Sequence, residues 1–123
     1  MVAVEAASGK PLWNRPQPDV LPLTLTADAE RVLFHNGEKI VCLDRRTGEP
    51  RWSSEPLNRR KEIPTFFAPT LVIYRDVVLF SGGDSKPGEQ KRGGGTDTMY
   101  GLAADTGKTI WTAEHPPSGY KSP

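Results

Sequence analysis

Apolar and polar residues alternate in short runs along this chain, and Gly, Pro, Asn and Asp punctuate the runs. From Pro22 to Ala27, Leu23, Leu25 and Ala27 are set against Thr24 and Thr26, the period-two pattern of a strand buried on one face. Arg31 to His35 is rich in β-formers. Asn36-Gly37 then supplies the dipeptide favoured by a two-residue type I′ hairpin turn, in which both central residues take positive φ. Lys39 to Asp44 and Pro50 to Ser53 complete a first set of four strands. A second set is expected at Ala68 to Tyr74, Asp76 to Phe80, Thr98 to Ala103 and Lys108 to Ala113. No stretch shows a capped apolar period of 3.6 residues, so little or no helix is expected.

Along the chain one phrase recurs three times, once ahead of the first set and once within each set. It reads Val4-Glu5-Ala6-Ala7-Ser8-Gly9-Lys10-Pro11-Leu12-Trp13, then Leu43-Asp44-Arg45-Arg46-Thr47-Gly48-Glu49-Pro50-Arg51-Trp52, then Leu102-Ala103-Ala104-Asp105-Thr106-Gly107-Lys108-Thr109-Ile110-Trp111. Each copy ends on one of the three tryptophans, four residues after a glycine that follows Ser or Thr. Gly9, Gly48 and Gly107 suit the left-handed residue of a hairpin loop, which glycine enters without steric cost. The preceding Ser8, Thr47 or Thr106 can hydrogen-bond its own turn backbone. Trp13, Trp52 and Trp111 then stand on the next strand, where such a ring buries about 150–250 Å² against a neighbouring sheet.

The copies are 39 and 59 residues apart. The difference is one insertion, residues 81–98, which contains no apolar residue and reads as a surface loop. Four-stranded antiparallel units of about forty residues, each with a wedge aromatic, are the blades of a β-propeller. The expected fold is therefore all-β, a propeller segment of about two blades plus a closing hairpin. Residues 1–15 are expected to be the closing strands of a preceding blade, 20–56 a blade, 65–115 a blade carrying the 81–98 insertion, and 116–123 the lead into a following one.

The strand and phrase at Ile40 to Trp52, with Leu-Asp-x-x-Thr-Gly-x-x-x-Trp at their centre, resemble the repeat of quinoprotein-type β-propellers. That family includes pyrroloquinoline-quinone (PQQ) dehydrogenases and outer-membrane assembly lipoproteins. The third copy keeps Leu102, Thr106, Gly107 and Trp111 but has Ala103 in place of Asp. The first has Val4, Glu5 and Ser8 for Leu, Asp and Thr. The resemblance implies packing roles for the three tryptophans and three turn glycines, and an extracytoplasmic, periplasmic setting for the parent protein. The quinone enzymes add a vicinal Cys-Cys pair and acidic calcium ligands. This chain has one cysteine, so PQQ with calcium is expected only through other parts of a parent protein. Such propellers close with about seven or eight blades, which implies either a fragment of a larger ring or a chain that self-associates.

Composition adds limits more than chemistry. Hydrophobic residues make 36 % and charged residues 25 % of 123 positions, with twelve glycines, twelve prolines and a net charge of +1. That balance gives no electrostatic case for nucleic acid or a membrane surface. No signal-peptide pattern and no apolar run long enough to span a bilayer is read from the chain. Cys42 lies in a strand-like run, where a small buried hydrophobe is expected. Gly101 to Thr109 mimics a phosphate-binding loop, but five residues separate its glycines where four are needed, and a strand pattern follows where a helix is required.

His35 and His115 lack partners at metal-ligand spacing and are expected to be exposed turn residues. Asp28 and Glu30 read as turn residues. Three segments are expected on one rim, the 81–98 insertion, the linker 55–63 and the tail 114–123, and the first two offer Arg59, Arg60, Lys61, Asp84, Lys86, Glu89, Lys91, Arg92 and Asp97 as a candidate partner-binding surface. The expected function is a non-catalytic scaffold or interaction module. The alternatives are part of a PQQ-dependent alcohol or sugar dehydrogenase, with catalytic residues elsewhere, and a domain joined to an unrelated enzyme.

Overall fold

A computed structural model describes residues 1–17, 19–57, 69–83 and 98–114. The described residues form ten strands and no helix. β1 (Val2–Val4) and β2 (Pro11–Asn14) make a hairpin. β3 (Thr26–Ala27), β4 (Arg31–His35), β5 (Ile40–Asp44) and β6 (Pro50–Ser53) make a four-stranded sheet in that order. β7 (Thr70–Tyr74), β8 (Val77–Gly83), β9 (Thr98–Ala103) and β10 (Thr109–Glu114) repeat it. Every pairing is antiparallel.

The two large sheets stack face to face. Leu33, Ile40 and Cys42 from the first join Leu71, Val78, Phe80, Leu102 and Ala104 from the second in one buried cluster, with Leu57 from the connecting segment. Period two sends Val32 and Phe34 to the opposite face, with Val41 and Leu43 directly across on β5. Phe34 and Leu43 are fully buried there, on the side where Val32 lines a groove together with Ala3 and Trp13 of the hairpin.

The phrase folds identically in all three copies. The residue four before the glycine, Glu5, Asp44 or Ala103, accepts the glycine's N–H at 2.7, 2.8 and 2.8 Å. The same residue donates its own N–H to the residue after the glycine. Gly9, Gly48 and Gly107 have φ of +70°, +73° and +75°, the left-handed conformation the phrase calls for. Ser8, Thr47 and Thr106 each accept, through the side-chain oxygen, the N–H two residues on, at 3.2, 3.2 and 3.3 Å.

Four expectations need correction. The strand expected at Pro22 to Ala27 shrinks to Thr26–Ala27, and its alternation is out of phase: Leu23 and Leu25 are 69 % and 57 % exposed while Thr24 is buried. The cause is the end of β4. Leu21 donates its N–H to His35 O at 2.9 Å, and the Thr24 hydroxyl donates to Leu21 O at 2.8 Å while accepting His35 N–H at 3.1 Å. A buried backbone donor needs an acceptor, and a threonine can supply one where a leucine cannot. Satisfying that group turns the chain at Pro22–Leu23, with Leu23 at φ +62°.

Next, the β4–β5 turn centres one residue later than expected. Asn36 N–H donates to Lys39 O at 3.0 Å, and only Gly37, at φ +99°, is left-handed. The Asn36 side-chain oxygen, accepting from Glu38 and Lys39 N–H at 3.0 Å each, takes over the closure. Third, His35 is fully buried, not exposed. Its Nδ1 accepts Gly37 N–H at 3.0 Å, which leaves Nε2 to donate to Leu57 O at 3.2 Å, and its ring stacks on Phe80 at 4.9 Å. The hydrogen-bond pattern thus assigns the neutral Nε2–H tautomer. Last, strand pairing runs into the apolar-free insertion at both ends, since Ser81 pairs with Thr70 and Met99 and Gly83 with Thr98. Backbone hydrogen bonding needs no apolar side chain, only a partner strand.

Thr24→Val keeps the shape and deletes the hydroxyl. Loss of one buried acceptor predicts a stability drop of about 1–3 kcal/mol by urea unfolding; an unchanged midpoint would show that the Thr24 link to β4 contributes nothing.

Candidate functional site

The surfaces where phrase tryptophans meet phrase turns are the most developed chemistry in the described residues. Trp13, on β2, lays its ring against the turn of the first large sheet. A Cβ on Gly48 would lie 2.6 Å from two atoms of that ring. Its indole N–H donates to Arg45 O at 2.8 Å. Trp52, on β6, repeats the contact one sheet further along: its ring lies over Gly107 even more closely, and its N–H donates to Ala104 O at 2.9 Å. In both, the acceptor is the residue three before the glycine. A buried indole needs an acceptor for its N–H and a flat surface for its ring. The turn supplies both at once, because its glycine has no Cβ.

A bulge aims the tryptophan. β1 pairs Ala3 with Trp13 but Val4 with Pro11, β5 pairs Cys42 with Trp52 but Leu43 with Pro50, and β9 pairs Gly101 with Trp111 but Leu102 with Thr109. One residue, Leu12, Arg51 or Ile110, is left unopposed each time. Without it Trp52 would oppose Val41 and face back toward the hairpin. With it Trp52 shares the face of Cys42 and reaches the next sheet. Leu12 and Ile110 are correspondingly exposed. The sequence reading missed this device; the constant four-residue step from glycine to tryptophan is its only trace.

Charged groups ring these contacts. Asp28 Oδ1 accepts the N–H of Glu30 and Arg31 at 2.8 and 2.7 Å, the turn role expected of it. Arg31 pairs with Asp28 at 3.2 Å in its own sheet and with Asp105 at 2.9 Å in the next sheet's turn. The buried Arg31 Nε has no hydrogen-bond partner. Arg51 bonds Asp44 at 2.8 Å and Glu30 at 3.5 Å. That guanidinium, helped by the N–H groups of Thr47 and Arg46, holds the Asp44 carboxyl below the usual carboxylate range. At the first contact Arg15 and Glu49 are 3.8 Å apart and exposed, a pair worth about 0–1 kcal/mol.

Cys42 is fully buried, as expected, and burial pushes its thiol up to about 11. The folded form therefore favours the protonated thiol, and its contribution to stability is present below the ordinary thiol range and lost as pH rises toward 11. No group of three or more His, Cys, Asp or Glu side chains with metal-holding geometry occurs among the described residues. Gly101 lies inside β9 and Thr109 opens β10, so the phosphate-loop mimic is two strands of a sheet. Arg59, Arg60, Lys61, Asp84, Lys86, Glu89, Lys91, Arg92, Asp97 and His115 lie outside the described residues. An apolar groove of about 310 Å³ lies between the hairpin and β3–β4, lined by Met1, Val2, Ala3, Trp13, Leu25 and Val32 among others.

Four-stranded antiparallel sheets stacked through a repeated ring-on-glycine contact define a segment of a β-propeller. The family described as outer membrane protein assembly factor BamB, built of PQQ-type propeller repeats, matches residues 1–122, and the chain belongs to it. The crystal structure of BamB from Moraxella catarrhalis is similar in fold, with a TM-score of 0.66 at 20 % identity, over 90 % of this chain and 30 % of that one. The chain therefore spans about a third of the length of that structure. None of the curated proteins matches the chain.

Gly107→Ala and Gly9→Ala carry the same backbone penalty, about 1–2 kcal/mol for a left-handed residue with a Cβ. Only Gly107→Ala also meets a ring, which adds about 1–3 kcal/mol of overpacking. Urea unfolding is expected to rank Gly107→Ala well below Gly9→Ala; equal losses would deny the ring contact any energetic role. In the native protein at neutral pH the Cys42 thiol is expected to react with a disulfide reagent many-fold more slowly than in urea, whereas equal rates would contradict its burial.

Proposed function

We propose that this segment is a non-catalytic propeller scaffold acting in the assembly of outer membrane proteins, the role named in the description of its family. The observation that carries this reading is the use made of the phrase. Ring, indole N–H and turn glycine are all engaged in joining one sheet to the next at Trp13–Gly48 and Trp52–Gly107, and the Thr47 and Thr106 oxygens are engaged within the turns themselves. A side chain used in that way holds blades together and is not turned toward a substrate. We place the parent protein outside the cytoplasm on the same family basis.

The partner surface of this scaffold is its loop rim. Leu57 donates its N–H to Glu38 O at 2.9 Å, so the linker leaves the first sheet beside the β4–β5 turn. In the second sheet Gly83, Thr98 and Glu114 stand level in register at one end. The connections carrying Arg59, Arg60, Lys61, Asp84, Lys86, Lys91, Arg92 and Asp97 therefore depart from corresponding ends of successive sheets, and these residues are the proposed binding groups.

Titration with PQQ and calcium, followed by tryptophan fluorescence, tests the non-catalytic reading. Trp13 and Trp52 report on both contacts. Fluorescence is expected to stay unchanged to high cofactor concentration, and a saturable, calcium-dependent change would favour the dehydrogenase reading instead.

A further inference from the structure

Among the described residues His35 and Cys42 are the fully buried titratable side chains. Of the two, histidine is the one that ordinarily changes charge close to neutral pH. The burial of His35 owes nothing to the ends of the chain. Its ring stacks on Phe80 of the second sheet at 4.9 Å, and its backbone N–H is held by the Thr24 hydroxyl of the segment that caps β4.

The ring also closes a circuit between the β4–β5 turn and the start of the linker. Gly37 N–H donates to Nδ1 at 3.0 Å, Nε2 donates to Leu57 O at 3.2 Å, and Leu57 N–H donates to Glu38 O at 2.9 Å. Leu57 belongs to the buried cluster between the two large sheets. A backbone amide can only donate, so Nδ1 has to present a lone pair to Gly37. A proton on Nδ1 would set two donors against each other and bring a positive charge into the interior.

The charged side chains around the ring are few. On its own strand Arg31 stands at the far end, paired in register with Asp44 of β5. The turn brings Glu38, which is exposed, and Lys39, which is half-buried. The linker brings Glu55 and the capping segment Asp19, both exposed. β7, β8 and β9 carry no charged residue at all. Beyond Leu57 the linker continues through Arg59, Arg60, Lys61 and Glu62, which lie outside the described residues.

We infer that His35 is an acid-sensitive latch: when neutral it pins the β4–β5 turn to the linker at Leu57, and on taking up a proton it releases both while the sheets stay stacked. An opened latch exposes an ordinary imidazole, which takes up its proton near pH ~6.5. The closed latch excludes that proton, so its hold is complete above this range and is lost as pH falls through it. The Trp52–Gly107 contact, with its Ala104 carbonyl acceptor, contains no group that titrates there and keeps the sheets together.

Amide hydrogen exchange on the full chain, measured from about pH 8 to pH 5 and corrected for the intrinsic rate at each pH, tests this. Protection of Gly37 and Leu57 is expected to be constant at the upper end and to fall about tenfold per pH unit below ~6.5. Val78 and Leu79, in the central strand β8, are expected to keep theirs. The chain has two histidines, so His115→Gln leaves one set of ring signals and assigns them to His35. Those signals are expected to show the Nε2–H tautomer at neutral pH and to charge in step with the loss of protection at Gly37. His35→Gln cannot titrate and is expected to show no step; where it does not fold, the ring titration of the parent decides. Three results would each overturn the inference: a ring that charges at or above the ordinary histidine range with Gly37 and Leu57 still protected, protection lost by all amides together, or a step that survives in His35→Gln.

Discussion

Everything in this structure depends on an indole ring lying flat on a glycine in the left-handed conformation. Two independent demands fall on that glycine. Its φ near +70° closes the hairpin loop, and its missing Cβ gives the ring of the preceding sheet somewhere to lie. Any other residue fails one demand through backbone strain and the other through volume. Turn geometry within one sheet and stacking between sheets are thereby the same event. The indole N–H ties them more tightly, because its acceptor belongs to the turn that the glycine shapes.

The bulge is what makes a repeating stack out of this contact. A strand of strict period two would point a residue four beyond the glycine to the wrong side, and the tryptophan would meet the sheet behind it. One unopposed residue per copy reverses that direction and sends each ring forward. The polarity of the whole arrangement follows: every sheet has a receiving turn and a giving ring on opposite faces. The buried cluster between the two large sheets fills the space that this spacing creates.

The parts of this design that were legible in the sequence are those with local causes. A positive φ demands glycine, a self-bonded turn demands Ser or Thr, and a large wedge demands an aromatic, so the phrase displays them in every copy. The parts that were not legible depend on a partner distant in the chain. Thr24 is buried because the end of β4 needs an acceptor, and its alternation with Leu23 and Leu25 points the other way. His35 is buried because Leu57 and Phe80 close over it, although beside Asn36-Gly37 it has the look of a solvent residue. Arg31 meets Asp105 only across the contact between sheets. At the candidate site, the rings and glycines could be read out, whereas the order in which they meet could not.

That order poses a problem the ring contact cannot solve by itself. The phrase supplies three nearly interchangeable tryptophans and three nearly interchangeable turn glycines, of which two pairs meet, and the favourable energy of any pairing is much the same. Distinguishing them falls to the side chains that differ between copies. Arg31 reaches Asp105 at the second contact, and the turn of the first contact has Arg46 in the place of Asp105. Arg15 approaches Glu49 only at the first. Exposed pairs of this kind add little net stability, and the Arg31 side chain leaves a buried Nε without a partner, so their retention is poorly explained by energy alone. They make better sense as discriminators: a mispaired turn would set Arg31 opposite an uncharged residue and leave its partly buried charge with one carboxylate in place of two. The generic contact holds the sheets together, and the charged contacts at its edge decide which sheet follows which.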